Sequence, residues 1–333
     1  MKNLFDYATK ELSQDAFLRW LFENHADSTV GVVANGLLEK FCNFQKDEKV
    51  QTLETIAQWC KIDISVWMTT TLGRKIALFI EDKTFSNEHS QLAVYDKHID
   101  EVKNHEIHKV FYKTNFIEND ERSRIVEANK NNKADWVIFD INDIFSYFKM
   151  YAGSQNLILS QYVAHIQKIY SAVTNTKKPE SSNNTIDFLE WQAYFNHTVL
   201  PKLSENANKY ICWVQKAGQY PYVNLGFKKT GYNKDIPYLE IRSRDCCGGQ
   251  FTARLLCYGM PVEDIPNQKK LIEKMETSGV WDCKGIVKQK QGKENYYSKQ
   301  IGIIKKECKN SDELIVLVRC CIEFYLQLLD DWE

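Results

Sequence analysis

The sequence predicts an α/β (α+β) fold in which a mixed central sheet is flanked by helices and followed by a second α+β domain. Three observations carry this expectation. Through residues 1–173, segments with helical periodicity alternate with segments of strand character. One of those strands, Ile76-Ala77-Leu78-Phe79-Ile80, is continuously apolar, as a strand covered on both faces must be. Residues 174–186 then break the pattern with a Thr/Asn/Lys/Pro/Ser-rich stretch, and several closely spaced strand-like runs follow it. The expected division is a first domain at 1–173, a linker at 174–186 and an accessory domain at 187–333.

In chain order, Ser13-Gln14-Asp15-Ala16 offers capping residues before Phe17-Leu18-Arg19-Trp20-Leu21-Phe22, an amphipathic helix running to Asn24. A second helix is expected from Val30 to Phe44, then a short strand from Lys49 to Glu54. Lys61 to Met68 alternates, with Ile62, Ile64 and Val66 on one face and Asp63, Ser65 and Trp67 on the other. The turn at Leu72-Gly73-Arg74 leads into the apolar strand, and the short link predicts an antiparallel pair. A helix from Glu88 to Val102 carries Leu92, Tyr95, Ile99 and Val102 along one side. Strands at Lys109–Lys113 and Trp136–Phe139 come next, then helices at Asn142–Tyr151 and Leu159–Val173. Beyond the linker, a helix is expected at Asp187–Leu203 and strands at Tyr210–Lys216, Tyr222–Lys228, Tyr238–Arg244 and Phe251–Tyr258. A helix at Asn267–Ser278, strands at Trp281–Lys288 and Asn295–Ile304, and a last helix at Asp312–Leu329 complete the chain.

Composition narrows the classes. At 333 residues, 44% hydrophobic and 26% charged, the chain is ordinary globular material and long enough for two cores. No run approaches the ~18 apolar residues of a membrane helix. The start, Met1-Lys2-Asn3-Leu4-Phe5-Asp6, lacks the apolar core of a signal peptide. A cytoplasmic protein with no membrane partner is expected. Its ten cysteines include adjacent pairs at Cys246-Cys247 and Cys320-Cys321 but no C-x-x-C, which favours buried thiols over structural zinc. Net charge is −1, so there is no overall basic footprint. Residues 1–150 are nevertheless net −5 and the remainder net +4, as a metal-binding half beside a phosphate-gripping half would be.

One constellation carries chemistry. Metal-assisted hydrolysis of a phosphodiester needs hard oxygen ligands for a divalent cation, and one or two carboxylates suffice for magnesium. A nearby ammonium can orient the attacking water or offset developing charge. Glu81 and Lys83 are two apart at the end of the apolar strand, so they project from one face, and Asp63 on the preceding strand can come alongside. Read blandly, the same three residues are a surface salt-bridge set. His105 and His108 could pair as ligands, but they fall at a helix-to-strand turn where solvation explains them. Cys246-Cys247-Gly248-Gly249 reads as a plain turn.

On these residues the sequence resembles the PD-(D/E)XK nuclease superfamily. Its pattern of Asp followed on the next strand by Glu-x-Lys is matched by Ile62-Asp63-Ile64 and Ile80-Glu81-Asp82-Lys83. Gln91 and Tyr95 resemble the Gln-x-x-x-Tyr motif of RecB-like members, and four-residue spacing puts them on one helical face. The resemblance covers residues 1–145 and implies a restriction-endonuclease-like fold. It further implies Mg2+ (with Mn2+ as substitute) held by Asp63 and Glu81, Lys83 as the catalytic cation, and Gln91 and Tyr95 helping to position metal and substrate. An acidic residue from the first helix often joins the metal site; Glu11 or Asp15 would stand there, with Glu11 preferred. DNA is the implied substrate, with RNA as an alternative, a homodimer as one arrangement and defence against foreign DNA as a role. From a different class, the fold can also be reused by a non-catalytic binding or regulatory protein.

The second half mixes basic residues (Lys228, Lys229, Arg242, Arg244, Arg254, Lys288 among them) with aromatics such as Tyr222, Tyr238 and Tyr296. That mixture suits phosphate contact and base stacking, or equally a solvated strand face over an aromatic core, or a sensor or dimerisation module.

Overall fold

The structure is a computed structural model of the full chain and describes residues 3–6, 11–84, 91–115, 117, 119–129 and 134–177, the strands of the second half, and isolated positions elsewhere. The chain divides into two compact units, Met1–Ser171 and Ala172–Glu333.

The first unit is built on a five-stranded sheet in sequence order, β1 (Val50–Trp59), β2 (Ile62–Thr70), β3 (Lys75–Lys83), β4 (Glu106–Lys113) and β5 (Trp136–Phe139). The β1–β2–β3 pairs are antiparallel and the β3–β4–β5 pairs parallel, so the sheet is mixed. Gly73, at φ 78, turns the chain between β2 and β3 where an L side chain would be strained. Parallel pairing forces crossovers, and helices supply them: α3 (Leu92–Ile99) between β3 and β4, and α4 (Asn119–Asn129) between β4 and β5.

The central strand β3 is buried at every position but its first, because helices cover both faces. On one side α3 and α4 close a core of Ala77, Phe79, Leu92, Tyr95, Ile99, Phe111, Ile125 and Trp136. The other side carries α1 (Glu11–Glu23), α2 (Gly31–Cys42), α5 (Ile141–Phe148) and α6 (Leu157–Val173). There Phe17 stacks on Tyr162 at 3.7 Å between centroids, with Phe5 and Phe148 edge-on to Tyr162. Helix α2 shows the pattern that drives this burial: Val33, Ala34, Leu37, Leu38 and Phe41 recur at helical spacing and are all buried. Asp140 and Asp143 form a capping box at the start of α5.

Several expectations need adjustment. β1 runs to Trp59 rather than ending at Glu54, because an edge strand with one covered face need not read as apolar. Helix α4 is an addition to the expected elements: its only buried apolar side chain is Ile125, so the segment lacks an apolar stripe. Helix α1 begins at Glu11, ahead of the expected cap at Ser13. Cys42 is a buried free thiol and Cys60 an exposed one.

Among its described residues the second unit has five strands, β6 (Tyr210–Ala217), β7 (Tyr220–Phe227), β8 (Tyr238–Ser243), β9 (Gln250–Tyr258) and β10 (Ser298–Glu307). They form one antiparallel sheet in the order β10-β9-β8-β7-β6. The strand expected at 281–288, and all but isolated positions of the helices expected at 187–203, 267–278 and 312–329, lie outside the described residues. No helix among the described residues is long and apolar enough to cross a membrane.

Candidate active site

The ends of β2 and β3 meet where the hairpin and parallel parts of the sheet join. Ile64 is the last residue of β2 to pair with β3, opposite Ile80. One step further the ladder opens, and the Asp63 side chain replaces it: the Asp82 backbone N–H donates to Asp63 Oδ2 at 2.9 Å. The pleat also breaks there. Ile62 packs with Phe79 and Tyr95 in the core under α3, not with Val66 as simple alternation predicts.

Glu81 and Lys83 point from the same face of β3, as their spacing predicts. The Lys83 ammonium lies 2.5 Å from Glu81 Oε1 and 3.9 Å from Asp63 Oδ2. Glu81 is 1% exposed, and its other oxygen, Oε2, has no hydrogen-bond partner. Burial, followed by the negative charge of Asp63, pushes the Glu81 carboxyl up to about 8, against the opposing pull of Lys83. Tyr95 of α3 completes the group. Burial and then the Glu81 charge raise its phenol to about 12, so it stays a neutral hydrogen-bonding group. Gln91 stands half-buried at the start of the same helix, one turn before Tyr95.

Asp82 turns to the opposite face. It is fully buried, accepts a hydrogen bond from Gln14 Nε2 of α1, and is held well above the usual carboxylate range by burial and by Asp15. Of the two candidate acids in the first helix, Asp15 therefore meets Asp82 rather than the Glu81 side; the Glu11 side chain lies outside the described residues. His105 and His108 do not form a ligand pair: His105 packs edge-on to Trp67 and His108 bonds Glu106 at 2.9 Å.

The donor set fits a hard divalent cation. Among the described residues no group of three or more His, Cys, Asp and Glu side chains is placed so that it could hold a metal ion. Asp63 and Glu81 make two, which is what magnesium requires when water fills its remaining positions. A buried carboxylate oxygen with no donor, beside a second carboxylate, is the atom a cation would satisfy.

The family description that matches this sequence, over residues 2–172, is the PD-(D/E)XK nuclease superfamily. The chain belongs to that superfamily. No curated protein and no solved structure matches it. Membership in the PD-(D/E)XK nucleases points to nuclease activity, a nucleic-acid substrate and a divalent metal, and the match ends where the first compact unit ends.

Sequence reasoning missed several residues around this PD-(D/E)XK core. Lys113, the register partner of Lys83 on β4, is fully buried and ion-paired with Glu121 of α4 at 3.3 Å. Lys109 and Trp136 converge on Asp96 at 2.9 and 3.0 Å, pinning the residue next to Tyr95. Gln58 of β1 donates to Asp63 Oδ1 at 3.1 Å. Nothing in the sequence marks Gln58; Lys113 and Glu121 are detectable only once their strand and helix are placed.

Proposed function

We propose that the chain is a deoxyribonuclease that hydrolyses phosphodiester bonds with Mg2+, or Mn2+ in its place, held by Asp63 and Glu81. The observation that carries this reading is the buried Glu81 carboxylate with an unsatisfied oxygen, set between Asp63 and Lys83. A metal bound there supplies a polarised phosphate and a water of lowered pKa. The protein's own part is positioning. Asp63 and Glu81 give the two hard ligands, and Asp63 is kept in place by the Asp82 N–H. Lys83 holds a positive charge within reach of both carboxylates, where it orients the attacking water or offsets charge on the pentavalent phosphate. Tyr95 closes the side of the site towards α3, and Gln91, one turn before it, is assigned to substrate positioning.

Cleavage of plasmid, linear DNA and RNA by wild type and Lys83→Ala, with Mg2+, Mn2+ or EDTA, tests this. The expected result is metal-dependent DNA cutting that falls about 10²–10³-fold in the variant. RNA cut in preference to DNA would replace the substrate, and equal activity of the two proteins would remove Lys83 from the mechanism.

A second reading has one observation in its favour: the Lys83 ammonium already lies against Glu81 Oε1, as it would in a non-catalytic nucleic-acid-binding relative. Calorimetry with Mn2+ separates the two, because a binding protein without a metal site shows no heat that Asp63→Ala abolishes. Defence against foreign DNA enters through the family alone, and phage plating on cells carrying wild type or Lys83→Ala tests it. Cutting both strands with one site per chain would call for a second copy, which sedimentation with and without DNA would detect.

A further inference from the structure

Gln58 occupies a backbone conformation that glutamine has no reason of its own to adopt. Its φ is 55, in the left-handed region, and it lies inside β1. The two residues that follow Trp59, Cys60 at φ 51 and Lys61 at φ 72, are also left-handed, but they form the turn between β1 and β2, where two consecutive positive φ values match the twist of a hairpin. Gln58 precedes those two residues and opens the turn, its carbonyl accepting from the Lys61 N–H at 3.2 Å, a role that does not itself call for a left-handed backbone. A non-glycine residue held there costs free energy that the surroundings must offset, and such outliers concentrate at functional sites.

The offset is visible opposite. Along the β1–β2 ladder Ala57 pairs with Ile64 and Trp59 with Ile62, and the pair between them, Gln58 and Asp63, is skipped. Asp63 is also the first residue of β2 beyond its ladder with β3. Its backbone is therefore released from pairing on both sides, and its side chain is held instead from both sides: Oδ1 by Gln58 Nε2 at 3.1 Å and Oδ2 by the Asp82 N–H at 2.9 Å.

We infer that Gln58 is a positioning residue of the nuclease site, its left-handed backbone kept so that its amide can fix the Asp63 carboxylate for cation binding. The inference rests on the metal-holding role proposed for Asp63. An outer partner that orients a ligating carboxylate removes rotamers that cannot bind metal and leaves the remaining lone pairs aimed at the cation.

Two substitutions in the full chain separate side chain from backbone. Gln58→Gly removes the amide and relieves the left-handed conformation; Gln58→Ala removes the amide and keeps the strain. Three quantities are read: Mn2+ affinity by calorimetry, the melting temperature of metal-free protein, and kcat and KM on DNA. The expected result is that both variants bind Mn2+ about 10-fold more weakly and lose kcat with KM for DNA unchanged. Only Gln58→Ala should melt lower, while Gln58→Gly melts at or above wild type. Wild-type Mn2+ affinity and kcat in Gln58→Gly would overturn the inference, as would losses that track melting temperature. A wild-type protein that binds no Mn2+ would instead remove the metal-site reading itself, so the two failures are distinct.

Discussion

Glu81 is where a single proton has the widest consequences. In the unfolded chain its carboxyl ionises near the ordinary 4.5; in the fold it is pushed up to about 8. Below pH 4.5 both states hold the proton and the group contributes nothing to the pH dependence. Between 4.5 and 8 the unfolded chain ionises while the fold keeps its proton, so stability falls as pH rises, and above 8 the loss is complete. In EDTA, denaturation between pH 5 and 8 should therefore show a downward slope that Glu81→Gln flattens; an unchanged slope would show that the carboxyl is ionised throughout. A cation reverses the preference, because it binds the carboxylate and displaces the proton. Mn2+ affinity should rise with pH, by at most about tenfold per unit, and level off near 8. Asp63, Glu81 and Lys83 could be read from the sequence because strand period and hairpin spacing alone bring them together. Gln58 and Asp82 could not: one acts through a backbone torsion, and the other depends on which helix lies over the far face of the sheet.

Among the elements, α3 matters most to the proposed site, since it carries Tyr95 and begins directly after Gln91, its N-cap residue. Only eight residues long, it would be marginal as an isolated helix, so its rotation is set by packing. Leu92, Tyr95 and Ile99 face the core, and Asp96, on the next position round, takes Lys109 of β4 and the indole N–H of Trp136 of β5. Lys109 also lies over the Trp136 ring, 5.4 Å from its centroid. Removing the acid leaves a lysine that is only 3% exposed without this counterion. Asp96→Ala should cost about 3–5 kcal/mol in urea denaturation, and the apolar pair Asp96→Leu/Lys109→Met should recover most of it. A single variant costing under about 1 kcal/mol would place the hold on α3 in the apolar contacts alone. No pattern in the sequence hints at this pin, because its three members lie on three elements. Helix α3 itself is legible through Leu92, Tyr95 and Ile99, whereas α4 stays hidden behind Asn119-Asp120-Glu121-Arg122 and a single buried isoleucine.

At the scale of the molecule, the family match stops at residue 172 and the first compact unit at Ser171, while every residue proposed for metal and catalysis lies before Asp96. The first unit has its own sheet, with a core on one face under α3 and α4 and aromatic packing among Phe5, Phe17, Phe148 and Tyr162 on the other. We propose that it folds and binds metal without the second unit, which contributes grip on the phosphate backbone. The second sheet carries Arg242 opposite Tyr222 and Thr252, and Arg254 opposite Glu240, while Arg244 lies outside the described residues. Basic and aromatic residues at neighbouring register positions of one sheet suit backbone contact and stacking. A chain ending at Lys177 should melt cooperatively and keep wild-type Mn2+ affinity. Its DNA affinity should fall, and its dependence on salt should become shallower by about one in the log–log slope for each phosphate that the second unit no longer neutralises. Aggregation of the shortened chain would mean that the first unit depends on the second for its stability. Unchanged DNA affinity and salt slope would instead assign the whole grip to the nuclease unit, leaving the second sheet to another role.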